Sequence, residues 1–155
     1  ERTFVDFRPL AHGAGLGWQS LTGLLINPEW GLWLGLRAAC FTTEVLEPTG
    51  ALAGPSPCEG CPAPCASACH GGALSVEAGM DIRRCAAFHV ETGDEGPCFS
   101  RCDARRACPV APERAYSEQE QRYHYERRTG RRALAAALGI DDPIEGVGPH
   151  WHAWG

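Results

Sequence analysis

Eight of the nine cysteines in this 155-residue chain fall between residues 58 and 108. So many thiols in so short a segment restrict the fold more than any other feature, because they indicate either a disulfide scaffold or metal ligation. No secretory signal is visible in the sequence, which favours ligation in a reducing compartment. We therefore expect a cytoplasmic protein, and the spacing of the cysteines indicates which metal group they hold.

The first group of cysteines has the spacing Cys58-x2-Cys61-x3-Cys65-x3-Cys69. An iron–sulfur cube needs four thiolates around one small volume, and closely spaced cysteines on a tight loop supply three of them. The usual bacterial run is C-x2-C-x2-C-x3-C-P, whose fourth cysteine ligates the other cluster. This chain has one extra residue before Cys65, and it has His70 where proline is expected.

The second group reads Cys98-x3-Cys102-x5-Cys108-Pro109, and Cys85 lies between the two groups. Together they supply the eight thiolates that two [4Fe–4S] clusters require, which leaves Cys40 outside. Two-cluster proteins share their ligands in a crossed pattern. That pattern predicts a first cysteine set of Cys58, Cys61, Cys65 and Cys108, and a second cysteine set of Cys69, Cys85, Cys98 and Cys102.

Zinc is the main alternative, because Cys58 and Cys61 have the spacing of a zinc knuckle that His70 or His89 could complete. Zinc sites rarely need eight cysteines within about fifty residues, so two clusters are favoured. One cluster together with another group, and disulfides, remain further alternatives. Cys40 stands in an apolar run, where a buried thiol that packs as a small hydrophobic group is expected.

The remaining segments carry conventional signals of secondary structure. Residues 1–48 are apolar, aromatic and interrupted by glycine, which predicts short strands and turns. A buried strand is expected over Trp33–Thr43, with a helix as the alternative that the pattern leaves open. Residues 49–57 are a linker rich in proline and glycine. One short helix is expected after Pro64, and another is expected to begin at the N-cap residue Asp81.

A charged helix is predicted near the C-terminus. Ser117 and Glu120 form a capping-box signature at its start, and Gly139 is suited to its end. A break at Gly130 is expected, and the tail that follows is irregular. The arginines of this helix suit a solvated face, with a phosphate or acidic partner as the less favoured alternative.

The charge and hydropathy patterns exclude some partners. The net charge of −5 disfavours non-specific binding to nucleic acid. Arg37 interrupts the longest apolar stretch, so no membrane association is expected. The chain begins at Glu1 rather than methionine, which suggests a piece of a longer protein.

The order "FVD…AGLGW…LINPEWG…LGLRAACFTTEVLEP…CxxC…C…CHGGAL…DIRRC" resembles epoxyqueuosine reductase. This cobalamin and double-[4Fe–4S] enzyme family is related to the reductive dehalogenases. The resemblance runs from about Phe4 to Cys85 and resumes over residues 98–109. It implies that Asp6 is a proton donor above the cobalamin. It also implies that the cobalamin site is walled by Ala14, Gly15, Leu16, Gly17 and Trp18.

We therefore expect an α+β fold, in which a ferredoxin-like double [4Fe–4S] module is joined to the remnant of an α/β cobalamin-type domain. The expected organisation is a remnant over 1–48, a linker over 49–57, the cluster module over 58–112, and a helix with an irregular tail over 113–155. Electrons from a redox partner protein would enter at the second cysteine set. They would pass through the first set to a cobalamin or substrate near Asp6.

Two other functions remain open, namely a ferredoxin-like electron carrier without catalysis and a zinc-stapled interaction module. Whether the chain is an enzyme is left undecided by the sequence. Binding of tRNA, which the resemblance implies for the family, is disfavoured by the acidic charge and by the lack of the helical-repeat binding region.

Overall fold

The computed structural model describes residues 7–36, 38–40, 42–48, 50, 52–126 and 134–140. These residues form a small α+β protein with two separate two-stranded antiparallel sheets. The elements are α1 (Phe7–Gly13), β1 (Trp18–Gln19), β2 (Leu25–Ile26), α2 (Pro64–Ser67), β3 (Leu74–Ser75), β4 (Gly79–Met80), α3 (Ile82–Thr92), α4 (Asp103–Arg106) and α5 (Glu118–Tyr125). Short 3₁₀ helices cover Gly93–Glu95 and Pro112–Arg114, and residues 134–137 are helical.

The N-terminal segment contains a helix that the sequence did not predict. α1 tolerates Pro9 because proline in the first helical turn removes no intrahelical hydrogen bond. Gly15 ends the helix with a φ of 69°. The backbone N–H of Gly15 donates to His12, and that of Leu16 donates to Ala11, each at 2.9 Å, which is a Schellman motif. The strand prediction is confirmed only for the hairpin that follows, in which β1 pairs with β2.

The prediction of a buried strand over Trp33–Thr43 is wrong for the described part of that run. Leu32 and Trp33 are buried, but the described residues between 34 and 43 form no strand, and Cys40 is exposed rather than buried. The physical reason is the lack of a partner. Within the described residues both sheets contain only two strands, so an apolar run has no third strand to pair with.

Three helix starts are confirmed. α2 begins at Pro64, after Ala63 adopts a left-handed conformation with a φ of 53°. α3 begins after Asp81, whose carboxylate accepts the backbone N–H of Arg84 at 3.0 Å. α5 begins after Ser117, and both halves of its capping box with Glu120 are formed. The β3–β4 hairpin between α2 and α3 was not predicted.

The C-terminal helix signal at Gly139 is confirmed as well. Gly139 has a φ of 65°, and the N–H of Ile140 donates to the carbonyl of Ala135 at 2.9 Å. The expected break at Gly130 and the irregular tail from residue 141 onward lie outside the described residues. No helix in the described part of the chain is both long enough and apolar enough to span a membrane.

The apolar core is thin. Among the described residues, Ile26 and Leu32 are the large apolar side chains with less than 2% exposure. Smaller buried residues, including Ala73, Ala86 and Ala104, line the segments that bear the cysteines. A chain that buries so few large side chains has little hydrophobic stabilisation, and a bound metal group would add to its folding free energy.

Candidate metal centre

Two short helices position the cysteines. α2 contains Cys65 and ends just before Cys69, whereas α4 begins just after Cys102 and ends shortly before Cys108. α2 and α4 pack against each other. Each helix therefore has a thiol of the first cysteine set near one end and a thiol of the second set near the other. A four-residue helix is about 6 Å long, so the two sets lie close together.

The first cysteine set is brought together around Cys65 and Cys108. Burial raises the pKa of the Cys65 thiol, and the nearby thiols of Cys108 and Cys58 raise it further. Burial also raises the pKa of Cys108, with additional increases from Cys58 and Cys61. These effects place Cys58 near both Cys65 and Cys108, and Cys61 near Cys108, since Coulomb interactions weaken with distance.

Backbone N–H groups oppose that rise in pKa. The N–H of Ala66 lowers the pKa of Cys65, and the N–H of Val110 lowers the pKa of Cys108. Hydrogen bonds to a charged form stabilise it, so these donors favour the thiolate. The thiolate is the form that binds a metal or a cluster.

The second cysteine set lines a single cavity of about 180 Å³, which we call the cysteine cavity. Its walls are mostly apolar and include Leu24, Leu74 and Phe88. The backbone N–H of Ala73 donates to the Cys69 sulfur at 3.3 Å. Four thiols around an apolar cavity, with a backbone donor to sulfur, match the environment in which proteins hold iron–sulfur clusters.

Cys102 and Tyr125 connect the cysteine cavity to α5. Burial raises the pKa of the Cys102 thiol, and backbone N–H groups after it together with the Arg105 guanidinium act in the opposite direction. Burial also raises the pKa of Tyr125, and the thiols of Cys102 and Cys85 contribute to that increase. Tyr125 lines the cavity, so α5 covers it.

His70 contacts a carboxylate. Its Nε2 atom lies 2.8 Å from Oδ2 of Asp103, and Nε of Arg101 lies 2.8 Å from Oδ1 of the same side chain. The hydrogen bond from His70 is the main cause that holds the pKa of Asp103 below its usual value. This contact ties the loop after Cys69 to α4. No local sequence pattern indicates this contact, because the two residues are 33 positions apart.

A site for a single metal ion is not present in the described part of the chain, where no three Cys, His, Asp or Glu side chains converge closely enough to hold one ion. A zinc site requires its ligand atoms within about 2.3 Å of one ion. A cube distributes its thiolates over four iron atoms, so its ligands lie farther apart.

Comparison with known proteins gives one curated relative. An epoxyqueuosine reductase from Synechococcus sp. (strain RCC307) is 39% identical over 103 residues, which cover 61% of this chain and 30% of the relative. The similarity supports an oxidoreductase relationship of the epoxyqueuosine reductase type. This chain spans less than a third of that relative's length. No family model matches the chain, and no solved structure matches it significantly.

The residues expected to contact cobalamin are only partly described. Asp6 lies outside the described residues. Residues 14–17 form the loop after α1, and a side chain at Gly17 would meet the carbonyl oxygen of Ile26. Beside this loop is a cavity of about 340 Å³, lined by residues that include Arg8, His12 and Gln19. Pockets of that volume suit ligands much smaller than cobalamin. This cavity on its own does not enclose a corrinoid, and no step is assigned through one.

Arg105 and Tyr125 are site residues that the sequence analysis did not single out. Both line the cysteine cavity, and Arg105 also contacts Leu32, which is 73 positions earlier. A local signal for Arg105 did exist, because it stands between two predicted ligands, Cys102 and Cys108. No local pattern indicates the contact with the N-terminal segment.

Proposed function

We propose that this chain is the electron-transfer portion of an oxidoreductase related to epoxyqueuosine reductase, and that it binds two [4Fe–4S] clusters. The observation that carries the proposal is the grouping of eight cysteines into two neighbouring sets. One set lines the cysteine cavity, and the other is linked by the mutual pKa effects of its thiols. When bound, the clusters would accept and release single electrons.

The chain's own residues would hold and insulate these groups. α2 and α4 fix the separation of the two sets, since each helix joins one set to the other. The apolar wall of the cysteine cavity, with Tyr125 over it, would exclude water from the second set. The backbone N–H of Ala73 would stabilise negative charge on the Cys69 sulfur.

The N-terminal segment contacts both cysteine sets. Thr22 and Leu24 from the N-terminal hairpin line the cysteine cavity, and Gly31 lies against the carbonyl oxygen of Val110, two residues after Cys108 of the first set. We therefore keep the order expected from the sequence, in which electrons enter at the second set and pass through the first set toward the N-terminal segment.

The proposal is tested by metal analysis of the anaerobically purified chain. We expect about eight iron and eight acid-labile sulfide atoms per chain, with a visible absorption that dithionite bleaches. Cys85→Ser removes one ligand of the second set and should lose about half of the iron. Stoichiometric zinc without sulfide would contradict the proposal and favour the zinc-stapled module.

Cys40→Ser is the matched control. Cys40 is exposed and is not among the residues that line the cysteine cavity, so its removal should leave the iron content unchanged. The assignment of ligands is wrong if Cys40→Ser loses a cluster while Cys85→Ser retains both.

A further inference from the structure

The guanidinium group of Arg105 occupies a fixed position beside the cysteine cavity. Its Nε atom donates to the carbonyl oxygen of Leu32 at 3.0 Å, and Nη2 donates to the same oxygen. The guanidinium carbon lies 4.2 Å from the ring centre of Trp33 and 5.0 Å from that of Tyr116. Nη1 lies 3.5 Å from the hydroxyl group of Tyr125. Two hydrogen bonds and two aromatic faces therefore hold this charge in one place.

The positive charge of Arg105 is not neutralised by its contacts. Its partners are a carbonyl, two aromatic rings and a hydroxyl group, and no described carboxylate forms an ion pair with it. Asp103 also lines the cysteine cavity, but its carboxylate is bound by His70 and Arg101. The wall around the four thiols is largely apolar, so a net cation in it acts with little screening.

We infer that Arg105 raises the reduction potential of the cluster held by the second cysteine set, and that Leu32 and Trp33 position its charge. The inference rests on the proposed function. Reduction adds one electron, and hence one negative charge, to the cluster, and breaks no bond. A fixed cation nearby stabilises the reduced state relative to the oxidised state. Because Leu32 and Trp33 belong to the N-terminal segment, the position of that segment controls the potential of the second cluster.

A purely structural role for Arg105 is the competing explanation, since the side chain bridges three parts of the fold. The two explanations differ in what the charge does. A structural clamp is weakened by any substitution that loses the contact with Leu32. An electrostatic role is lost only when the positive charge is lost or released into water, where it is screened.

The test is a reductive titration of the loaded chain with dithionite and redox mediators, followed by electron paramagnetic resonance. Arg105→Gln should reduce the equilibrium constant for one-electron reduction of the second cluster about tenfold, which corresponds to a potential about 59 mV more negative. Arg105→Lys keeps the charge and should retain most of the wild-type potential. The cluster of the first set serves as an internal comparison and should shift less, because Arg105 acts on the Cys102 thiol but not detectably on those of Cys65 and Cys108.

Arg114→Gln is the matched control variant. Arg114 also lies over an aromatic ring, 4.4 Å from the centre of Trp30, but it is exposed and does not line the cysteine cavity. Its removal should leave both potentials unchanged. If Arg105→Gln does not load clusters, Trp33→Leu takes its place. That variant lets the guanidinium move toward water and should shift the second potential in the same direction by a smaller amount.

Three results would overturn the inference. Arg105→Gln could load both clusters with unchanged potentials. Arg105→Lys could shift the second potential as far as Arg105→Gln, which would indicate geometry rather than charge. Where Trp33→Leu is used, an unchanged reduction potential of the second cluster would also overturn the inference. A wild-type chain that binds no cluster would instead refute the proposed function itself.

Discussion

Gly31 is the point at which the N-terminal segment touches the loop after Cys108, and Gly31→Ala tests how closely they are packed. Gly31 has a φ of 57°, which costs an alanine about 1 to 2 kcal/mol. A Cβ atom there would also overlap the backbone carbonyl oxygen of Val110, and it would lie 3.5 Å from the Cβ of Ala111. A backbone oxygen cannot rotate away, so overpacking should add about 1 to 3 kcal/mol.

Gly139→Ala separates these two contributions. Gly139 has a φ of 65°, and a Cβ atom there would have nothing within 4 Å. This control carries the conformational cost without the clash. For a chain of this size 1 kcal/mol shifts the Tm by about 2 to 4 °C. The extra cost at Gly31 should therefore lower the Tm of Gly31→Ala by about 2 to 12 °C more than that of Gly139→Ala.

The assay is circular dichroism of the anaerobic loaded protein, with all variants heated at the same rate, because unfolding with cluster loss is irreversible. Iron analysis accompanies it. Val110 is two residues after Cys108, so Gly31→Ala should lose iron from the first set before the second. Equal Tm values for the two variants would refute the reasoning, since they would mean that the contact with Val110 carries no cost.

The other predictions concern the ends of the chain. Ser117→Ala should cost about 1 kcal/mol of stability in α5, measured by denaturant unfolding, because the hydroxyl accepts the N–H of Glu120. Hydrogen bonds from Ser117 hold the pKa of the Glu120 carboxyl group below its usual value of 4.5. The contribution of ionised Glu120 to the stability of α5 is therefore present above pH 4.5, and it is lost as the pH falls through the lowered pKa. Glu120→Gln should remove this acid dependence of stability. In a longer parent enzyme, Asp6→Asn should preserve the clusters and reduce turnover by about 10²-fold. Full activity of that variant would exclude a catalytic role for Asp6 and would favour the function of an electron carrier.

The helix ends were predictable because their signals are local. Asp81, Ser117 and Gly139 each act on backbone groups within five positions, and the structure has those bonds where the residue types predict them. The prediction of a buried strand after Trp33 was wrong because the signals that decide it are not local. The burial of this apolar run depends on partners far along the chain, and composition carries no information on whether such partners exist.

The residues of the candidate site likewise fall into those that local spacing predicts and those that only tertiary packing brings together. The spacing of the cysteines predicts which thiols belong together, and the structure groups Cys69, Cys85, Cys98 and Cys102 around one cavity. Cluster ligation itself stays a prediction. The contacts of Arg105 with Leu32 arise from tertiary packing between segments that are 73 positions apart. No sequence window of helical or strand length includes both residues, so periodicity could not indicate them.

The two short helices suggest where sequence length can vary without altering the rate of electron transfer. If the two sets hold clusters as proposed, their separation depends on α2 and α4, since each of these helices reaches from one set to the other. The run Cys65-x3-Cys69 keeps the usual spacing, whereas the extra residue falls in the run Cys61-x3-Cys65, between two ligands of the first set. The distance over which an electron would tunnel is then determined by the two helices rather than by the lengths of the loops. An insertion between Cys58 and Cys61 would leave that distance unchanged, whereas an insertion within α2 would move the two sets apart.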